Sequence, residues 1–202
     1  MYPYYQLVDK DNNKDFFEKL WKTPLDDKKG LTVVEIMDAI HENTIKGMYI
    51  LGENPAMSDP DLNHAREALQ MLEHLVVQDI FLTETATYAD VIFPASAWPE
   101  KNGTVTNTNR QVQMGRKALD SPGEAKEDWW ITNELGKRMG LNWKYNHPKE
   151  IYEEMSLTMP SLNNISWKRL ENENSVTYPS KSPTIPGLSL IHISEPTRQA
   201  EI

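Results

Sequence analysis

The sequence predicts an α/β fold built on an open parallel sheet with flanking helices, and three observations predict it. Met48-Tyr49-Ile50-Leu51, Leu75-Val76-Val77 and Asp90-Val91-Ile92-Phe93 are short apolar runs rich in strand formers. Between the first two, Leu62, Ala65, Leu69 and Leu72 fall on one helical face. Strand, helix and strand within about thirty residues make a crossover unit, which implies parallel pairing and a right-handed connection.

The elements follow in order. Residues 1–30 are an irregular lead-in with one short helix at 14–21, where Phe16, Phe17, Leu20 and Trp21 form an apolar stripe. Thr32 and Glu35 make a capping-box pair, and Val33, Ile36, Met37 and Ile40 follow at helical spacing, so 32–43 is expected to be an amphipathic helix. After the first strand comes the turn Gly52-Glu53-Asn54-Pro55. Ser58-Asp59-Pro60-Asp61 then supplies a cap, a proline and acidic side chains for a helix start, which accounts for the paired carboxylates without catalysis. The third strand is expected to stop at Pro94, and 104–113 to be extended. Asp128 is placed at the N-cap of a helix closed by a Schellman ending at Gly140 and Leu141. These elements assign 31–141 to one α/β domain portion. Residues 142–187 are a helical and irregular extension, with helices expected at 148–155 and 165–170 and a linker at 172–186.

Composition narrows the chemistry. The chain has 202 residues, a net charge of -9 and 39% hydrophobic residues, which argues against nucleic acid or an anionic membrane as the main partner. Cysteine is absent, so no disulfide, thiolate metal site or iron-sulfur ligand is available. No apolar run approaches a membrane span, and the N-terminus lacks the pattern of a signal peptide. A cytoplasmic location is therefore expected. His41, His64, His74, His147 and His192 show no metal-ligand spacing, and no nucleophile-base arrangement can be defended from spacing.

In an open parallel sheet, ligands bind beyond the carboxyl ends of the strands. That rule singles out Gly52-Glu53-Asn54 and Gln78-Asp79, although neither loop is a G-x-G-x-x-G fingerprint. Asp79 can accept two hydrogen bonds from a guanine edge or a ribose, or it can cap the turn towards Thr83. Lys101 suits a phosphate, or is a solvated turn lysine. Arg110, amid Asn107, Thr108, Asn109, Gln111 and Gln113, suits the hydrogen-bonding edge of a cofactor; an edge strand would look similar.

G-E-N-P at 52–55, S-D-P-D at 58–61, V-V-Q-D-I-F-L-T-E-T-A at 76–86, A-D-V-I-F-P-A at 89–95, E-K-N-G-T at 100–104, N-T-N-R-Q-V-Q at 107–113 and P-G-E-A-K-E-D-W at 122–129 resemble the molybdopterin oxidoreductases. The resemblance is strongest to the catalytic alpha subunits of formate dehydrogenases. It implies a Rossmann-like central portion of such an enzyme, with molybdenum held by two molybdopterin guanine dinucleotides. It also implies cofactor contacts at Asn54, Gln78, Asp79, Lys101, Arg110 and Asp128. Formate would be the substrate of the parent protein, electrons would pass to a partner subunit or acceptor, and an iron-sulfur cluster would be bound elsewhere in the parent. Catalytic and metal-ligating residues would lie outside this portion, which alone is expected to be inactive. A non-catalytic electron-transfer subunit of the same fold, as in the large iron-sulfur subunit of NADH dehydrogenase, is the alternative. Family members usually have Glu and Arg where Asn109 and Gln111 stand here. The tail, 188–202, resembles a translated sequencing adapter and is expected to be non-native.

Overall fold

The computed structural model describes residues 6–8 and 10–187. The adapter-like tail lies outside the described residues. The described residues form two units, one made of those up to 97 and of 120–141, the other of 98–119 and those from 142 on.

The first unit opens with α1 (Asp11–Trp21), whose Phe17 is fully buried against Trp21. Then comes α2 (Val33–His41), started by the expected capping box: the Thr32 hydroxyl accepts from Glu35 N, and Thr32 N donates to the Glu35 carboxylate at 2.6 Å. Strand β1 (Gly47–Leu51) leads through the short α3 (Pro55–Ser58) to α4 (Leu62–Met71), β2 (His74–Asp79) and β3 (Val91–Pro94). The strands run parallel in the order β1-β2-β3, as the crossover pattern requires.

Two boundaries differ in detail. Asp61, accepting from His64 N, caps α4, while Ser58 instead ends α3. Pro94 remains in β3, opposite Asp79, because an edge strand tolerates the missing N–H; Ala95 N still donates to Asp79 O at 2.9 Å.

Register decides which side chains share a face. Met48, Ile50, Leu75 and Val77 point to one side, where Leu69 of α4 covers them, and Met37 and Ile40 of α2 pack on Ala65 and Ala68 behind. Tyr49, Leu51, Val76, Gln78, Val91 and Phe93 share the other. That face is more open, with Leu51 47% exposed. The last element is α5 (Asp128–Arg138). Glu127 is its N-cap and Asp128 its first residue, one step inside the expected position. The Schellman ending is present: Gly140 has φ +88°, Gly140 N donates to Lys137 O, and Leu141 N donates to Gly136 O.

In the second unit, β4 (Gly103–Thr106), β5 (Gln111–Gly115) and β6 (Ser175–Thr177) form an antiparallel sheet in that order. The segment expected to be one extended stretch is a hairpin, turned at residues 107–110. Arg110 takes φ +60° there, and Asn107 Oδ1 accepts from Gln111 N. The stretch expected as linker contains β6, whose Val176 pairs with Val112. Helices α6 (Pro148–Thr158) and α7 (Trp167–Glu173) close a core of Val112, Tyr152, Leu162, Ile165, Trp167, Leu170 and Val176.

Candidate functional site

The carboxyl ends of β1 and β2 carry the first group of expected residues. Gly52, at φ +65°, turns the chain out of β1 and donates its N–H to Gln78 O at 2.8 Å, which ties the two strand ends together. Asn54 follows. Its Oδ1 accepts from Thr85 N at 3.1 Å and from Thr85 Oγ1 at 2.7 Å, while its Nδ2 donates to Glu84 at 2.7 Å. That amide, and then the backbone of Glu84 itself, hold the Glu84 carboxyl below its usual range. Thr85 is fully buried, so Asn54 fixes the loop between β2 and β3 as firmly as it marks the end of β1.

Gln78 is completely buried and joins two groups far apart in sequence. Its Oε1 accepts from the Tyr49 hydroxyl, and its Nε2 donates to Asp128 Oδ1 at 2.8 Å. Burial first, and the nearby Asp128 charge second, raise the Tyr49 pKa. Asp79, half-buried, accepts through Oδ1 from Ile80 N at 2.6 Å and Phe81 N at 3.4 Å, so it caps the two residues after β2, nearer than Thr83. Gln78 and Asp128 are thus brought into direct contact, with Asp79 adjoining in the chain. An ionised Asp128 at the start of an 11-residue helix also sits favourably in its field.

Lys101 and Arg110 belong to the second unit. Lys101 is half-buried in the turn before β4. Arg110 lies with its guanidinium carbon 6.0 Å from the centre of the Tyr178 ring, and Tyr178 N donates to Arg110 O at 3.0 Å. Its Nε and Nη2, which form the side-on fork of a guanidinium, are enclosed and have no acceptor among the described residues. Enclosed N–H groups of this kind call for one, and a two-oxygen anion such as a phosphate fits the fork. Residue 110 is also held in a backbone region that side chains seldom adopt.

Chemically this is a set of donors and acceptors, with no group of three or more His, Cys, Asp or Glu able to hold a metal among the described residues. The arrangement suits gripping a polar ligand. Tyr49, Thr85 and Tyr178 had no signal of their own in the sequence; strand register, which pairs Leu51 with Gln78, puts Tyr49 on the same face as Gln78, but register is not visible in composition.

The family model described as molybdopterin oxidoreductase matches residues 17–138. The chain belongs to this family. As a molybdopterin oxidoreductase it is 45% identical over 194 residues to the F420-dependent formate dehydrogenase subunit alpha of Methanocaldococcus jannaschii, covering 95% of this chain and 28% of that protein. It is 43% identical over 178 residues to the putative formate dehydrogenase YrhE of Bacillus subtilis, covering 88% of this chain and 18% of that protein. The molybdopterin oxidoreductase described here therefore spans less than a third of the length of these relatives. Among solved structures, acetylene hydratase from Pelobacter acetylenicus superimposes with a TM-score of 0.59 at 21% identity, over 72% of this chain and 20% of that one, a likeness of fold. Membership of the family implies a molybdopterin cofactor, and the enclosed donors of Arg110 have the chemistry to meet an oxygen anion of such a group. No helix among the described residues is long and apolar enough to cross a membrane.

Proposed function

We propose that this chain is the part of a molybdenum-dependent formate dehydrogenase alpha subunit that binds molybdopterin guanine dinucleotide. The observation that carries the reading is the contact between buried Gln78 and Asp128 at the carboxyl end of β2, in a chain 45% identical to a formate dehydrogenase alpha subunit. Asp79 and Asp128 are acceptors suited to the donor edge of guanine or to ribose hydroxyls. Asn54 shapes the loop beside them through Thr85. Lys101 and Arg110 supply cationic donors for phosphate or pterin oxygens. The bound cofactor supplies the two-electron redox chemistry that takes formate to carbon dioxide; these residues hold and orient it and set the charge around it. In the parent protein an iron-sulfur cluster bound elsewhere would supply the route for electrons to a partner subunit or acceptor, in the cytoplasm.

The test is to purify the full-length protein from its native host, assay formate-dependent reduction of a viologen dye, and measure metal and pterin. The expected result is formate-dependent dye reduction with stoichiometric molybdenum and a fluorescent pterin after oxidation. A pure, folded protein with neither molybdenum nor pterin would overturn the reading and fit a non-catalytic electron-transfer subunit instead.

A further inference from the structure

We propose that Tyr49 is a positioning residue that fixes the carboxylate of Asp128 through the Gln78 side chain; this rests on the guanine dinucleotide reading above. A primary amide is nearly symmetric in shape, and what selects one of its two orientations is the polarity of its neighbours. Gln78 has a neighbour at each end. On one side the Tyr49 hydroxyl donates to Oε1; on the other, Nε2 donates to Asp128 Oδ1 at 2.8 Å.

Only this orientation satisfies both. An ionised carboxylate accepts and cannot donate, so the reverse orientation would set Oε1 against Asp128, oxygen to oxygen. Gln78 is 0% exposed, so solvent cannot replace the hydroxyl if it is removed. The fold puts the groups in place: Leu51 pairs with Gln78, which leaves Tyr49 on the same face one pleat away. The Phe93 ring, its centre 6.5 Å from that of Tyr49, packs beside it. Burial, followed by the Asp128 charge, raises the Tyr49 pKa, so the hydroxyl remains a donor through the neutral range. A residue that reads in the sequence as a strand former thus sets the direction of a polar chain running β1 to β2 to α5.

The test is a titration of GDP into the cofactor-free full-length protein and into its Tyr49→Phe, Asp128→Asn and doubly substituted forms, with thermal midpoints measured alongside. Phe keeps the ring and its contact with Phe93. The inference expects Tyr49→Phe to weaken GDP binding about tenfold in a chain that still unfolds cooperatively at a modestly lower midpoint, and the double variant to bind no more weakly than Asp128→Asn alone, because both act through one carboxylate. Unchanged GDP affinity in Tyr49→Phe, losses that simply add, or a collapse of the midpoint would each overturn the positioning role while leaving the proposed function standing. A parent chain that binds no GDP would overturn both.

Discussion

Asn54 shows how a residue expected to meet a ligand can have a structural role. A strand-end asparagine suits a cofactor contact, and in the structure its amide is engaged at both ends by Thr85 and Glu84. Replacing it with Ala leaves the buried Thr85 N–H without its acceptor, a loss of about 2 kcal/mol, measurable by urea unfolding. The same change removes the main cause of the lowered Glu84 pKa. A carboxylate with a lowered folded-state pKa stabilises above its ordinary value of 4.5, and that contribution is lost as pH falls through the lowered value. In Asn54→Ala this loss is smaller, so the stability of the variant should fall less steeply than the parent's below pH 4.5. Asp128 makes a related point. A one-residue shift, from N-cap to first helical position, frees its side chain from capping α5 and lets it meet Gln78.

At the level of elements, local chemistry was legible where the physics is local. The Thr32 and Glu35 capping box, the turn at Gly52 and the Schellman ending at Gly140 each depend on residues within a few positions of one another, and each is present. The hairpin turn at 107–110 and strand β6 were not legible. The turn uses a left-handed Arg110 where glycine or asparagine is the usual signal, and Ser175–Thr177 is too short to show a period. What holds the chain after β6 is also long-range. Arg169, 6% exposed, donates through Nη1 to Asn164 O at 2.8 Å, Ser180 Oγ at 2.9 Å and Ser182 O at 3.0 Å, and through Nη2 to Ile185 O at 2.8 Å. Its Nε pairs with Glu173 at 2.8 Å. Arg169→Met keeps the volume but removes every guanidinium donation, leaving Asn164 O without this donor and only the Ser180 hydroxyl within reach of Ser182 O and Ile185 O. The expected loss is about 3 kcal/mol, read as a lower urea midpoint, with faster proteolysis between residues 180 and 185.

Over the whole molecule, the fold class followed from three apolar runs and one helical stripe, because parallel strands and their crossover helices leave a strong imprint on the sequence. The site was legible only as a set of positions. Gln78 and Asp128 are 50 residues apart and meet only once β2 and α5 are in place. The strand-end rule found Gln78 and Asp79, family resemblance found Asp128, and neither could say that Gln78 would be buried between a tyrosine and a carboxylate. The enclosed fork of Arg110, unpaired among the described residues, was likewise visible only in three dimensions. Each of these observations bears on one central claim, that this part of the protein grips the guanine nucleotide of its cofactor. The most direct measurement is the nucleotide released when the full-length protein, purified from its native host, is hydrolysed in mild acid and the products are separated. The account predicts guanosine monophosphate in proportion to bound molybdenum. Molybdenum and pterin accompanied by no nucleotide, or by one with a different base, would contradict it.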